Sequence, residues 1–147
     1  MTAKDILESI LTYDHAADEA CKRLESIESD ITFITSRMDK VAVKTSGNHD
    51  FTDSIERLIA AKKEANKAID QFIKAKSDAS AIILMIKDPR EQQCLRKRYL
   101  EYHKAPKWEL LSWEEIADAM NWSVSTVKKT HAAAVNKLEK AIQNFES

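Results

Sequence analysis

The first forty residues carry apolar side chains at intervals that alternate between four and three residues. This spacing holds one stripe of a helix against a partner helix, as in a coiled coil. The stripe consists of Ile6, Ile10, Tyr13, Ala17, Ala20, Leu24, Ile27, Ile31, Ile34, Met38 and Val41. We therefore expect a helix of about 36 residues, about 54 Å long at about 1.5 Å per residue, which is too long for a globular core of this size.

A second apolar stripe follows a mostly polar segment. Residues 44–53 contain Gly47, the only glycine, beside Asn48, so we expect the chain to reverse there. Thr52 or Asp53 can cap the helix that follows. The second stripe consists of Ile55, Leu58, Lys62, Ala65, Ile69, Phe72, Lys76, Ala79, Ile83 and Ile86. The two stripes together predict an antiparallel helical hairpin.

Two lysines interrupt the second stripe, at Lys62 and Lys76. A fold about the glycine would bring Lys76 near Asp18 and Glu19, which are plausible partners for a charge in the seam. Polar residues at such positions often fix the register of two helices at a cost in stability.

Residues 1–87 are thus predicted to form a coiled-coil hairpin domain. Its simplest role is a structural spacer or an oligomerisation arm, and the alternative is a specific protein-binding role. Because a hairpin has a narrow seam, pairing with a second hairpin into a four-helix bundle is attractive.

Residues 88–147 are predicted to form a second, smaller domain. Asp88 suits the N-cap of a helix, Pro89 suits its first position, and Glu91 can complete a capping box. The residues of this helix that are available to pack inward are Cys94, Leu95, Tyr99 and Tyr102. The segment 103–111 holds the second proline and ends the helix.

The next segment has the features of a helix-turn-helix. Ser112 and Glu115 have the spacing of a capping box that opens a short helix. A steep helix crossing needs a small residue, then a residue tolerant of left-handed φ, then a stiff apolar plug, and Ala117, Asn121 and Val127 meet these needs in order. The rest of the small core is expected from Ile116, Met120, Trp122 and Leu138.

The last helix carries a small, polar and basic face. Ser123 or Ser125 would cap this helix, which would run to about Gln143. The face lies opposite Val127, Ala134 and Leu138 and consists of Ser125, Lys128, Lys129, Ala132 and Asn136. A recognition helix that enters a major groove by its N-terminus needs such a surface.

Composition supports an all-α protein, because one glycine and two prolines leave little material for hairpin turns between strands. The formal net charge is −1, so no overall field draws the chain to nucleic acid or to a membrane. The charge is uneven, however. Residues 123–143 hold four lysines and one glutamate, a local charge of +3.

Several classes of protein are not expected. Cys21 and Cys94 fit no metal or redox spacing, and no apolar run approaches a membrane span. The N-terminus has acids where a signal peptide has a hydrophobic core, so we expect a cytoplasmic protein. No nucleophile with a base, phosphate loop or carboxylate pair appears, so we expect no enzyme, cofactor, metal or small-molecule substrate.

The segment from Asp88 to Leu138 resembles region 4 of bacterial sigma factors. The matching stretches are DPREQQCLRKRYLE and LSWEEIADAMNWSVSTVKKTHAAAVNKL, the second without a gap. The whole layout is similar to short phage and prophage regulators with a sigma-like C-terminal domain, including the ArpU and RinA types of late-gene activator. The resemblance covers about a third of the chain at motif level and implies a helix-turn-helix that reads promoter DNA.

The resemblance also implies which residues contact DNA. The base- and phosphate-contacting positions of the sigma pattern fall on Val124, Ser125, Thr126, Lys128 and Lys129. The family has charged, arginine-rich side chains at the first three of these positions, whereas here they are small. The further candidates are Asn136, Lys137, Arg96 and Arg98. The segment HKAPKWE, residues 103–109, is inserted ahead of the motif, and the sequence leaves open whether it touches DNA or a protein.

Four other aromatic residues are assigned by their setting. Trp113 and Trp122 are expected in the core. Trp108 is expected to be more open and to face a partner. His131 is expected to be exposed and without a chemical role.

The sequence therefore predicts a sequence-specific, double-stranded DNA-binding transcription regulator, phage-encoded, whose helix 124–141 enters the major groove. The hairpin would form a homodimer or higher oligomer, or would dock on RNA polymerase. One alternative is a protein-binding adaptor that uses the sigma-like shape to engage RNA polymerase or a host factor without DNA contact. Another is a phage DNA-packaging recognition subunit.

Overall fold

The computed structural model describes residues 2–40 and 47–146, with side chains described for 2–33 and 51–145. Over these residues the chain is all-helical, with no strand and one isolated antiparallel bridge between His103 and Glu109. The helices are α1 (Ala3–Lys40), α2 (Gly47–Leu84), α3 (Pro89–Leu100), α4 (Trp113–Met120) and α5 (Val124–Glu146). The predicted all-α class is confirmed. None of these helices is both long enough and apolar enough to cross a lipid bilayer.

The second long helix begins earlier than its capping residues predict. Since α2 starts at Gly47, Thr52 and Asp53 lie inside the helix, and the prediction that one of them caps it is wrong. The start of the predicted reversal, residues 44–46, lies outside the described residues. So do the side chains of Ile34, Met38 and Val41, which end the first predicted stripe.

The seam of α2 differs from the predicted one at its two lysines. Lys62 and Lys76 are exposed, and the buried side chains one residue earlier are Ala61 and Ala75. With Ala61 and Ala75 in the seam, the spacing from Leu58 onward still alternates between three and four residues, and no cation is buried. Lys76 is therefore not part of the buried seam, whereas its proximity to Asp18 and Glu19 stays a prediction.

One compact unit comprises residues 16–71, the distal parts of α1 and α2. Among the side chains described in this unit, the buried ones are small, at Ala17, Ala20, Ala61 and Ala65. Arg23 Nη2 and Glu64 Oε1 lie 2.5 Å apart across the two helices. Alanines allow close approach of the backbones but bury little apolar area, since hydrophobic stabilisation scales with area removed from water.

The other compact unit comprises residues 1–15 and 72–147. Its main core joins the first turns of α1 and the end of α2 to α3 and α5. The buried residues of this core are Ala3, Leu7, Ile10, Ala79, Ile82, Ile83, Ile86, Leu95, Tyr99, Ala134 and Leu138. The two compact units are divided within α1 and α2. The predicted domain boundary between residues 87 and 88 lies between α2 and α3 and stays a prediction.

Candidate nucleic-acid interface

The turn between α4 and α5 is built as the sequence predicts. Ser112 Oγ accepts a hydrogen bond from the Glu115 backbone N–H at 3.1 Å, and Glu115 Oε1 accepts one from the Ser112 N–H at 3.2 Å. Asn121 ends α4 in the left-handed region, at φ 55° and ψ 42°. The N–H of Trp122 then donates to the Ala117 carbonyl at 3.0 Å. The capping box and the left-handed turn residue are confirmed.

A small core fixes the crossing of α4 and α5 on α3. Cys94, Ile116, Ala117 and Val127 are buried, and the partly buried residues around them are Leu111, Trp113, Met120, Trp122 and Val124. Burial raises the pKa of the Cys94 thiol to about 11, so this cysteine is a neutral packing residue. Leu138 belongs to the main core instead, because it lies about three turns after Val127 along α5.

Ser123, rather than Ser125, caps α5. Its Oγ accepts a hydrogen bond from the Thr126 backbone N–H at 3.2 Å and lies 2.8 Å from Thr126 Oγ1. The hydroxyl of Thr126 is therefore engaged at the cap, whereas Ser125 is exposed.

The predicted basic face of α5 is exposed along its length. Ser125, Lys128, Lys129, Ala132 and Asn136 all lie on the solvent side. Within the described part of the chain, neither lysine has a hydrogen-bond or ion-pair partner. Residue-by-residue matching missed Lys140, which is exposed four residues after Asn136 and continues the same face. The spacing of four residues between Asn136 and Lys140 was the sequence signal that both lie on one face of the helix.

Other predicted contact residues are occupied within the protein. Lys137 Nζ lies 2.8 and 2.9 Å from the two carboxylate oxygens of Glu91. Glu91 is 7% exposed, so it serves this ion pair between α3 and α5 and not the capping box predicted for it. Val124 is half-buried against the small core.

The two arginines of α3 that were predicted to contact DNA, Arg96 and Arg98, differ in their surroundings. The Arg98 guanidinium lies 4.2 Å from the centre of the Trp113 ring and donates to the Leu111 carbonyl. Arg96 is exposed and lies two residues earlier on α3. Arg96 is therefore presented to solvent as a cation, as is Arg90 in the first turn of α3.

His131 forms part of an aromatic cluster between α3, α4 and α5. Its Nε2 lies 2.7 Å from the Tyr99 hydroxyl, and its ring meets that of Trp113 edge-on at 4.8 Å. Burial, with the nearby Arg98 charge, lowers the pKa of His131 to about 4. The neutral ring therefore accepts the proton of Tyr99, whose own pKa burial raises to about 12. The prediction that His131 is exposed and without a role is wrong, since it joins three helices.

The inserted segment 103–109 folds back on the protein. His103 and Glu109 exchange backbone hydrogen bonds at 2.7 and 3.2 Å. The Trp108 ring stacks on His15 of α1 at 4.8 Å, and His103 Nε2 lies 2.5 Å from Glu115 Oε2 at the start of α4. Trp108, expected to face a partner, instead contacts its own chain. The insertion thus contacts the first turn of α4 through His103.

The site offers an exposed polar and basic surface on α5. Among the described residues, no cluster of three or more His, Cys, Asp or Glu side chains could hold a metal ion. A capped helix whose outer face is polar and basic fits binding to a polyanion.

Comparison with known proteins identifies the domain that carries this surface. The sigma-70 region 4 family matches residues 88–140, about a third of the chain. No curated protein and no solved structure gives a significant match. The matched residues run from the cap of α3 through α4 and the turn into the second half of α5. The C-terminal part of this chain is therefore a helix-turn-helix domain of the sigma-70 region 4 type.

Proposed function

We propose that the protein is a sequence-specific DNA-binding transcription regulator, in which α5 enters the major groove with its exposed face toward the bases. The observation that carries this proposal is the pair Lys128 and Lys129, unpartnered on the first turns of a helix that a region 4 type domain holds rigidly. The layout of the chain favours the phage regulator group that it resembles.

The contacts divide into two kinds. Lys128, Lys129 and Arg96 supply charge for phosphates, and Lys140 can extend this set. Ser125 and Asn136 supply the groups that hydrogen-bond to base edges, since an amide side chain suits adenine. Lys137 and Arg98 are already occupied by Glu91 and Trp113, so we assign them to structure first.

So few free cations predict weak binding by a single copy, with a clear dependence on salt. The hairpin would add the missing affinity by binding a second copy or RNA polymerase. When two binding events are linked in this way, the second becomes intramolecular and is therefore favoured.

The experiment is a fluorescence anisotropy titration of labelled duplex DNA over a range of salt. Lys128→Glu with Lys129→Glu should abolish specific binding. The milder pair of Lys→Ala changes should lower the slope of log affinity against log salt by about 2. Lys63→Glu with Lys67→Glu, exposed on α2, makes the same charge change and should leave binding intact. Equal loss in both double Lys→Glu variants would contradict a role for α5.

One observation favours a second candidate function, a protein-binding adaptor without DNA contact. Two of the predicted cations are tied up internally, and the positions that are arginine-rich in the family are Val124, Ser125 and Thr126 here. An adaptor would bind RNA polymerase in a pull-down with the wild-type chain and equally with the Lys128→Glu, Lys129→Glu variant, while neither would bind DNA.

A further inference from the structure

The distal hairpin carries a second stripe on α2, with two isoleucines, a lysine and an asparagine, that the seam with α1 does not use. Ile55, Ile59, Lys62 and Asn66 follow one another at intervals of four, three and four residues, so they share one flank of the helix. Ile59 is 51% exposed, and Lys62 and Asn66 are exposed. The lysine that breaks the predicted seam therefore belongs to a different surface.

A matching flank of α1 carries the opposite charge. Glu25, Glu28 and Thr32 follow at intervals of three and four residues, and they line a shallow groove with Ser29 and Phe33. Both glutamates are exposed and, within the described residues, have no ion-pair partner.

The ion pair between Arg23 and Glu64 shows how these two flanks are related within residues 16–71. Since the helices are antiparallel, Glu25, two residues after Arg23, lies level with Lys62, two residues before Glu64. Arg23 and Glu64 occupy the flank on one side of the seam. The flank of α1 with Glu25 and Glu28 and the stripe of α2 with Lys62 therefore lie together on the opposite side of the seam.

We infer that this side of the hairpin is the interface with a second copy of the chain, and that the two hairpins pair in parallel. A two-fold axis along the hairpin places α1 of each copy on α2 of the other, so Glu25 and Glu28 face Lys62 of the partner copy and Ile59 becomes covered. The antiparallel alternative places α1 on α1 and α2 on α2, which sets glutamates against glutamates and lysine against lysine. Charge complementarity therefore selects the parallel pair.

This inference deepens the proposed role of the hairpin, and it stands or falls without DNA. In the parallel pair both copies of α2 run in the same direction.

Sedimentation velocity over a range of concentrations tests the interface. The wild-type chain should form dimers, and Lys62→Glu should raise the dimer Kd about tenfold or more, because each of two contacts changes from attractive to repulsive. Adding Glu25→Lys and Glu28→Lys to Lys62→Glu should restore the wild-type Kd. Lys63→Glu, one residue away on the outward face, should leave it unchanged, and circular dichroism should show equal helix content in all variants.

A wild-type chain that stays monomeric at all concentrations would overturn the inference. So would a Lys62→Glu variant that dimerises as well as the wild type, which is the result expected of the antiparallel pair. Failure of DNA binding in an intact dimer would instead count against the proposed function alone.

Discussion

At the scale of single residues, Asn121 makes the turn between α4 and α5 possible. Its backbone lies at φ 55°, in the left-handed region. There the Cβ atom of most residues comes too close to a backbone carbonyl oxygen, whereas glycine and asparagine are tolerated. The position therefore constrains the residue through backbone conformation, since its side chain is exposed.

Replacing Asn121 with two contrasting residues tests this point. Asn121→Val should lower the free energy of unfolding by about 1–2 kcal/mol, because a β-branched residue is strained in the left-handed region. Asn121→Gly should leave it within about 0.5 kcal/mol. Urea denaturation followed by circular dichroism measures both, and equal effects of the two changes would contradict the account.

His131 makes stability depend on pH in a specific range. The fold lowers the pKa of this histidine from 6.5 to about 4, so between these values the unfolded chain binds the extra proton and the folded chain does not. Stability should therefore fall as the pH is lowered from 6.5 to 4. The loss should approach about 2 kcal/mol, with allowance for partial exposure of the side chain.

His131→Gln provides the comparison, because glutamine still accepts a hydrogen bond from Tyr99 but does not titrate. The difference in unfolding free energy between wild type and variant, measured from pH 7 to 4.5, should shrink as the pH falls. A constant difference over this range would show that His131 titrates normally in the fold.

At the scale of helices, the Glu91–Lys137 pair links the start of α3 to the middle of α5. Removing the lysine leaves a carboxylate that is 7% exposed without its partner, and such groups are costly to bury. Because the lysine side chain is itself 58% exposed, solvent moderates the effect.

Lys137→Ala should therefore lower the free energy of unfolding by about 1 kcal/mol. Lys140→Ala removes a neighbouring exposed lysine of the same helix and should change stability by less than about 0.5 kcal/mol. Thermal unfolding of the two variants beside wild type makes the comparison. A larger loss for Lys140→Ala would contradict the structural assignment of Lys137.

Local signals predicted the helix-turn-helix well because they act within a few residues. The Ser112–Glu115 box and the left-handed Asn121 depend on neighbouring backbone, and both were confirmed. The apolar Val127 is buried as predicted, in a core that also includes Cys94 of α3. The long-range pairs were not predictable. Nothing local in the sequence indicates that Glu91 meets Lys137, that His131 accepts from Tyr99, or that Trp108 stacks on His15.

The seam of α2 shows a third case. Lys62 fits a strict heptad as well as Ala61 fits a shifted one, so periodicity alone cannot choose between them. The cost of burying an ammonium group decides for alanine. With Ala61 in the seam, Lys62 lies exposed on the surface of α2.

At the scale of the whole molecule, a region 4 type domain at residues 88–140 is joined to a long helical hairpin. The domain exposes the polar and basic face of α5 to solvent. The hairpin is the part that could add affinity through a partner. The central claim is that the α5 face recognises a particular DNA sequence.

Selection of bound sequences from random duplex DNA at moderate salt tests that claim most directly. The wild-type chain is predicted to enrich a motif that the Lys128→Glu, Lys129→Glu variant does not enrich, and a two-fold repeat in the motif would match a dimer. The absence of any enriched motif with the wild-type chain would contradict sequence-specific recognition by α5.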